Sequence, residues 1–137
     1  MKKVFLDDVR NPWDDSWEVI RSAKDFREYI EKVGVPDIVS FDHDLSPEHY
    51  SELMYNQESY NKLYKNFKVD TGLDACMWML NHCVENGLAL PKCNVHSENP
   101  SGSENISSSI MNYALFYYED EIDVPTNPYD ILKQPEL

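Results

Sequence analysis

Asp37-Ile38-Val39-Ser40-Phe41-Asp42-His43-Asp44 is the stretch on which the fold turns. Ile38, Val39 and Phe41 make a short apolar run of the kind a buried parallel strand carries, and the chain passes from it straight into two acids around a histidine. The same pattern occurs on either side. Residues 3–7, Lys-Val-Phe-Leu-Asp, predict a strand that ends in Asp7-Asp8, and residues 93–96, Cys-Asn-Val-His, predict one that leads into His96-Ser97-Glu98-Asn99. A further short strand is expected over 17–20. Helical patterns lie between these strands. One starts at Ser22, with Asp25 as its capping-box partner and Phe26, Ile30 and Val33 as its apolar stripe. A second starts at the capping pair Thr71/Asp74 and carries Cys76, Met79, Leu80, Cys83 and Val84 to about Asn86. A last one, capped by Ser101 or Ser103, has Ile106, Ile110, Ala114 and Tyr117 on one face. Strands alternating with helices predict an α/β fold with a short, mostly parallel sheet of about four strands. In such sheets ligands bind beyond the carboxyl ends of the strands, which is where all three polar clusters fall.

The 137 residues are expected to form one domain over 1–118. Residues 46–70, polar and tyrosine-rich, read as an insertion after the third strand, a lid over the clusters. Residues 119–137, with three prolines and the acids Glu119, Asp120, Glu121 and Asp123, read as an extended tail, either packed on the domain or partly disordered. Lys plus Arg number 12 against 25 Asp plus Glu, a net charge of -13, which argues against an extended nucleic-acid surface or an anionic membrane. No apolar run is long enough to span a bilayer. Three cysteines without a CxxC pair, and a start that turns acidic at once, predict reduced thiols and a cytoplasmic protein. Nucleotide-binding glycine motifs, a nucleophile elbow and zinc-protease signatures are missing from the sequence. The pair Trp78/Tyr117 reads as core.

The clusters carry chemistry. Asp7, Asp8, Asp42 and Asp44 are hard oxygen ligands suited to Mg²⁺ or Mn²⁺, and four carboxylates brought together without a cation would repel one another. Each pair alone reads equally as a solvated turn; two pairs around a histidine read as a site. Strand alternation would turn His43 away from Asp42 and Asp44, as a supporting group, or as a general base if the chain has already left the strand. His96 is the better acid/base candidate by type, with an anchoring role as its bland counterpart. Ser97, Asn99, Gly102 and Asn105 surround a helix start whose amides either cap the helix or hold a phosphate oxygen. Arg10 is placed to clamp the same phosphate.

Leu6-Asp7-Asp8-Val9-Arg10-Asn11-Pro12, Phe41-Asp42-His43-Asp44-Leu45, Thr71-Gly72-Leu73-Asp74 and His96-Ser97-Glu98-Asn99-Pro100-Ser101-Gly102 with Asn105-Ile106 form an ordered set. It resembles the cyclic-phosphate-processing receiver-like family, a catalytic offshoot of response-regulator receiver domains, over about residues 3–118. The resemblance implies a receiver-like (flavodoxin-like) three-layer sandwich. It sets Asp7-Asp8 at the receivers' acidic pair, Asp42 at their Mg²⁺-binding phosphoacceptor and Ser97 at their hydroxyl after the fourth strand. The chain departs from receivers in having only residues 8–16 where they have a first helix, and in lacking a fifth strand that ends in lysine. The expectation is a metal-dependent phosphoesterase acting on a small phosphorylated substrate, a nucleotide or RNA-end phosphate, cyclic if the family's activity carries over. Asp7, Asp8 and Asp42 would hold the metal, and Asp42, His96, His43 and Asp44 would be the catalytic groups. Arg10, Ser97, Asn99, Gly102 and Asn105 would bind phosphate. A receiver-type phosphoacceptor without turnover and a non-catalytic acidic binding protein are the competing readings.

Overall fold

The computed structural model describes residues 1–46 and 70–126. The predicted insertion and the end of the tail lie outside these, apart from Ser46, Asp70 and residues 119–126. Strands β1 (Lys3–Leu6), β2 (Glu18–Ile20), β3 (Ile38–Phe41) and β4 (Lys92–Val95) form one sheet in the order β2-β1-β3-β4, with every pairing parallel. Helices α1 (Ala23–Val33), α2 (Gly72–Glu85) and α3 (Pro100–Tyr118) complete the described elements, a receiver-like α/β arrangement.

Period-two alternation sorts the strands. Val4 and Leu6, Val39 and Phe41, and Cys93 and Val95 face a single core shared with Phe26 and Ile30 of α1, Cys76, Met79 and Leu80 of α2, and Ile106 and Ile110 of α3. All three described helices therefore pack on one face of the sheet. Phe5, Ser40 and Asn94 occupy the alternate positions, with Trp17 edge-on to Phe5. The third layer of the expected sandwich is not among the described helices, because the β1–β2 crossover is a loop over 7–17, too short for the helix receivers have there.

Helix ends follow their caps. Ser22 Oγ accepts Asp25 N–H, and the Thr71/Asp74 capping box closes in both directions. The last helix departs from expectation. Its cap is Asn99, whose Oδ1 accepts Gly102 N–H at 2.9 Å, with Pro100 in the first turn, where a missing N–H costs nothing; Ser101 and Ser103 lie inside the helix. Two expected core residues are at the surface: Val33 is 46% exposed and Tyr117 52%, each falling in the last turn of its helix. Tyr117 is tilted against Tyr113 and edge-on to Phe116, and Trp78 stacks on His82.

Beyond α3 the chain runs along the outer edge of β4 without forming a strand. Val95 N–H donates to Pro125 O at 2.8 Å, Ser107 Oγ donates to Val124 O at 3.2 Å, and Val124 is buried. Among the described residues no helix is long and apolar enough to cross a membrane.

Candidate functional site

The register of the sheet builds the site. Leu6 pairs with Phe41 and Phe41 with Val95, and the ladder continues one residue further: Asp42 N–H donates to Leu6 O and His96 N–H to Phe41 O, both at 2.9 Å, while Asp7 N–H donates to Ile20 O at 3.0 Å. Asp7, Asp42 and His96 are thus set side by side at the carboxyl end of the sheet, each just past its strand.

Asp7 is buried and saturated. Oδ1 accepts the backbone N–H of Val9 (3.0 Å) and Arg10 (2.8 Å), and Oδ2 accepts Arg10 Nε (2.9 Å) and lies 3.1 Å from His96 Nε2. Burial alone would push this carboxyl up; the hydrogen bond from His96, the two amides and the guanidinium outweigh it and hold Asp7 at about 2. Asp42 is the opposite case. Burial first, then the charge of Asp7 beside it, pushes it up to about 8, against the pull of Arg10. Its Oδ1 accepts His43 N–H at 2.8 Å and lies 3.3 Å from Arg10 Nη2. Its Oδ2 is buried with no hydrogen-bond partner. Asp7, Asp8 and Asp42 each present an oxygen, all within 4.8 Å of one another. Hard donors around an orphaned buried carboxylate oxygen fit Mg²⁺ or Mn²⁺. Asp7 already accepts from four donors, whereas Asp42 Oδ2 accepts from none.

His96 is wholly buried, stacked on Phe5 at 4.2 Å, with Nδ1 2.7 Å from Ser40 Oγ, which also accepts Asn94 Nδ2 at 3.0 Å. Burial lowers its pKa below the ordinary 6.5, so the ring is neutral near pH 7. An ionised carboxylate can only accept, so Nε2 carries the proton to Asp7 and Nδ1 takes the Ser40 hydroxyl. Both nitrogens are spent inside the protein. In this arrangement His96 fixes Asp7 through one nitrogen and meets Ser40 through the other.

His43 does contact its neighbours, contrary to strict alternation, because β3 ends at Phe41 and the chain has left the strand. Nδ1 lies 3.0 Å from Asp44 Oδ1, and Asn99 Nδ2 lies 3.5 Å from both Asp44 oxygens. Two glycines make this corner. A Cβ on Gly102 would come within 2.5 Å of the His43 ring, and one on Gly72 within 1.7 Å of Asp42 O, while Gly72 N–H donates to His43 O at 2.7 Å. Gly102 therefore serves through the space it leaves, and its amide is taken by the Asn99 cap rather than left for phosphate. Ser97 Oγ accepts Asn99 N–H at 3.1 Å and sits beside Glu98, whose Oε1 is 3.6 Å from Arg10 Nη1. Asn105 is half-buried one turn further along α3.

Sequence reasoning overlooked Ser40 and Asn94, paired across β3 and β4, and Arg21. Arg21 donates to the carbonyls of Asp7 (3.3 Å) and Arg10 (2.8 Å) and to Asn11 Oδ1 (2.8 Å), fixing the loop that carries the acids. The signal for Ser40 and Asn94 was present: each is a polar residue interrupting an apolar strand at the same register.

Comparison with curated proteins and with solved structures returned no match. The family model described as "Cyclic-phosphate processing Receiver domain" matches residues 2–112, most of the chain and every strand and helix above up to the last turns of α3. The chain belongs to the cyclic-phosphate processing receiver domain family.

Proposed function

We propose that this domain is a divalent-cation-dependent phosphoesterase acting on a small phosphorylated substrate, a nucleotide or RNA-end phosphate in cyclic form. The observation that carries the reading is Asp42 Oδ2, a buried carboxylate oxygen with no hydrogen-bond partner, aligned with Asp7 and Asp8 and next to Arg10. Family membership supports the cyclic-phosphate part.

Asp7, Asp8 and Asp42 would hold Mg²⁺ or Mn²⁺. The bound ion supplies polarisation of a phosphoryl oxygen and a lowered pKa for water. The remaining work falls to the chain. Asp42, whose carboxyl burial and Asp7 push up, would be held as the ionised ligand by a cation in this position. Arg10, held from behind by Asp7 and Asp42, offers its remaining N–H groups to phosphate oxygens. Ser97, which takes Asn99 N–H on its oxygen, keeps its own proton to donate to a phosphate oxygen. His43, whose Nδ1 lies 3.0 Å from Asp44 Oδ1, would serve as the acid/base for the attacking water and the leaving oxygen, with Asp44 orienting its ring.

The test is thermal unfolding of the wild type and Asp42→Asn with Mg²⁺, Mn²⁺ or chelator, followed by a cyclic-phosphate turnover screen. Cation at about 100 times Kd should stabilise the wild type by about 2.7 kcal/mol and the variant not at all. Equal responses would remove the basis for metal catalysis. A second reading, in which Asp42 itself takes the phosphoryl group, draws on its place directly after β3. It predicts an acid-labile aspartyl phosphate that accumulates after treatment with a small phosphodonor.

A further inference from the structure

A cleft of about 820 Å³ opens beside the carboxylates, walled by the start of α3 and by Thr126 of the segment that follows it. That volume is in the range of small-ligand sites. The cleft meets the site at Glu98, whose carboxylate lies 3.6 Å from the guanidinium that also holds Asp7 and Asp42. Along α3 the hydroxyls that line it share one hydrogen-bond polarity, while Ser97 at the site end keeps a proton for the phosphate. Ser103 Oγ–H donates to Ser97 O at 3.0 Å, Ser107 Oγ–H to Val124 O at 3.2 Å, and Ser108 Oγ–H to Glu104 O at 2.7 Å. With those protons spent, the three hydroxyls have only lone pairs left for a ligand. Glu98 and Glu104 add charged acceptors, Met111 supplies an apolar wall, and among the described residues neither Lys nor Arg lines the cleft.

We infer that this cleft receives the alcohol portion of the substrate, and that this portion is an uncharged group rich in hydroxyl or amino donors. The domain then acts on a compound with a single phosphate and rejects a chain with further phosphates, because a second phosphate would lie against Glu98 and Glu104. This rests on the phosphoesterase reading and narrows it from nucleotide or RNA end to the nucleoside-like monophosphate.

The experiment is calorimetric binding to the full chain at saturating Mg²⁺, with three probes: inorganic phosphate, a nucleoside 2′,3′-cyclic phosphate, and the same compound with an added 5′-phosphate. The expected result is that the singly phosphorylated nucleotide binds about tenfold or more tighter than its 5′-phosphorylated form. Glu104→Lys, at an exposed position, should narrow that ratio and Glu104→Gln should narrow it less. Equal binding of the two nucleotides, or a ratio untouched by Glu104→Lys, would overturn the inference. Binding of inorganic phosphate but of neither nucleotide would overturn it and leave the phosphoesterase reading standing. Binding of no probe would bring down both.

Discussion

Asp42→Asn should make the cation-free protein more stable, and by an amount that depends on pH. In the unfolded chain this carboxyl ionises near 3.8; in the fold, burial and Asp7 push it to about 8. The stability associated with the neutral carboxyl is fully present below pH 3.8, drains as pH rises between the two values, and is gone above the folded one. Each pKa unit is worth about 1.4 kcal/mol, so at pH 7 the wild type has lost at most about 4 kcal/mol. Asp7 works the other way, since its folded pKa of about 2 adds stability that is lost only as pH falls below 3.8. Between pH 4 and 8 Asp7 is ionised in both states, and the buried His96, held below 6.5, adds a slope of opposite sign that wild type and variant share, so the difference between them belongs to Asp42. Asparagine keeps an acceptor for His43 N–H and turns its amide donors toward Asp7 and Asp8, but it removes a partner of Arg10 at 3.3 Å. A net gain of about 2–3 kcal/mol at pH 7.5 is expected, roughly 6–12 °C in Tm for a domain of this size. Urea unfolding in chelator at pH 4.5, 6.0 and 7.5 reads it. A variant no more stable than wild type at pH 7.5, or a gap that does not shrink toward pH 4.5, would refute the reasoning.

Three further outcomes can be checked. Ser40→Ala leaves His96 Nδ1 and Asn94 Nδ2 without their shared partner in a buried site, and should cost about 1–3 kcal/mol in urea unfolding, with Ser40→Thr recovering part of it. Gly72→Ala sets a methyl 1.7 Å from Asp42 O, a backbone atom that cannot rotate away; about 3 kcal/mol or more of lost stability is expected, together with weaker Mn²⁺ binding in calorimetry because the Asp42 loop must move. Cys76, Cys83 and Cys93 are buried, and burial pushes Cys83 to about 11 and Cys93 to about 12, so a thiol reagent at pH 8 should leave the native protein unmodified and label three thiols in denaturant.

Much of the site was legible because it obeys one rule: acids and a histidine placed just after parallel strands converge when the strands share a register. That rule needs only the apolar runs 3–6, 38–41 and 92–95 and the residues that follow them. The division of labour inside the cluster was not legible. Asp7 and Asp42 look alike in sequence, yet four donors hold one ionised while burial keeps the other neutral, and those donors include His96, 89 residues away. His96 looked like a free acid/base because nothing in Cys93-Asn94-Val95-His96 shows that Ser40 will meet its second nitrogen. Asn99 was passed over as a cap because two serines followed it, although Asn-Pro is the stronger start signal. Val33 and Tyr117 were assigned to the core by periodicity alone, which does not register where a helix runs past the layer it packs on.

The choice between storing a phosphoryl group and turning it over hinges on where the positive charge comes from. In the receivers this chain resembles, a lysine at the end of a fifth strand contacts the phosphoryl group, which ties the site to the far edge of the sheet. Here the corresponding edge of β4 is met by Pro125 O and Val124, in a segment over 119–126 that contains no lysine. The cation paired with the carboxylates is Arg10, three residues after Asp7 on the same loop, and Arg21 clamps that loop through three hydrogen bonds. Charge arriving at Asp42 is therefore answered by a group already fixed beside it, and among the described residues no neighbouring element has to move to supply the counter-charge. A site whose compensation is local and preorganised suits a transition state, where reorganisation adds to the barrier. A relay needs an element that takes two positions. The loop built around Arg10 and Arg21 favours turnover.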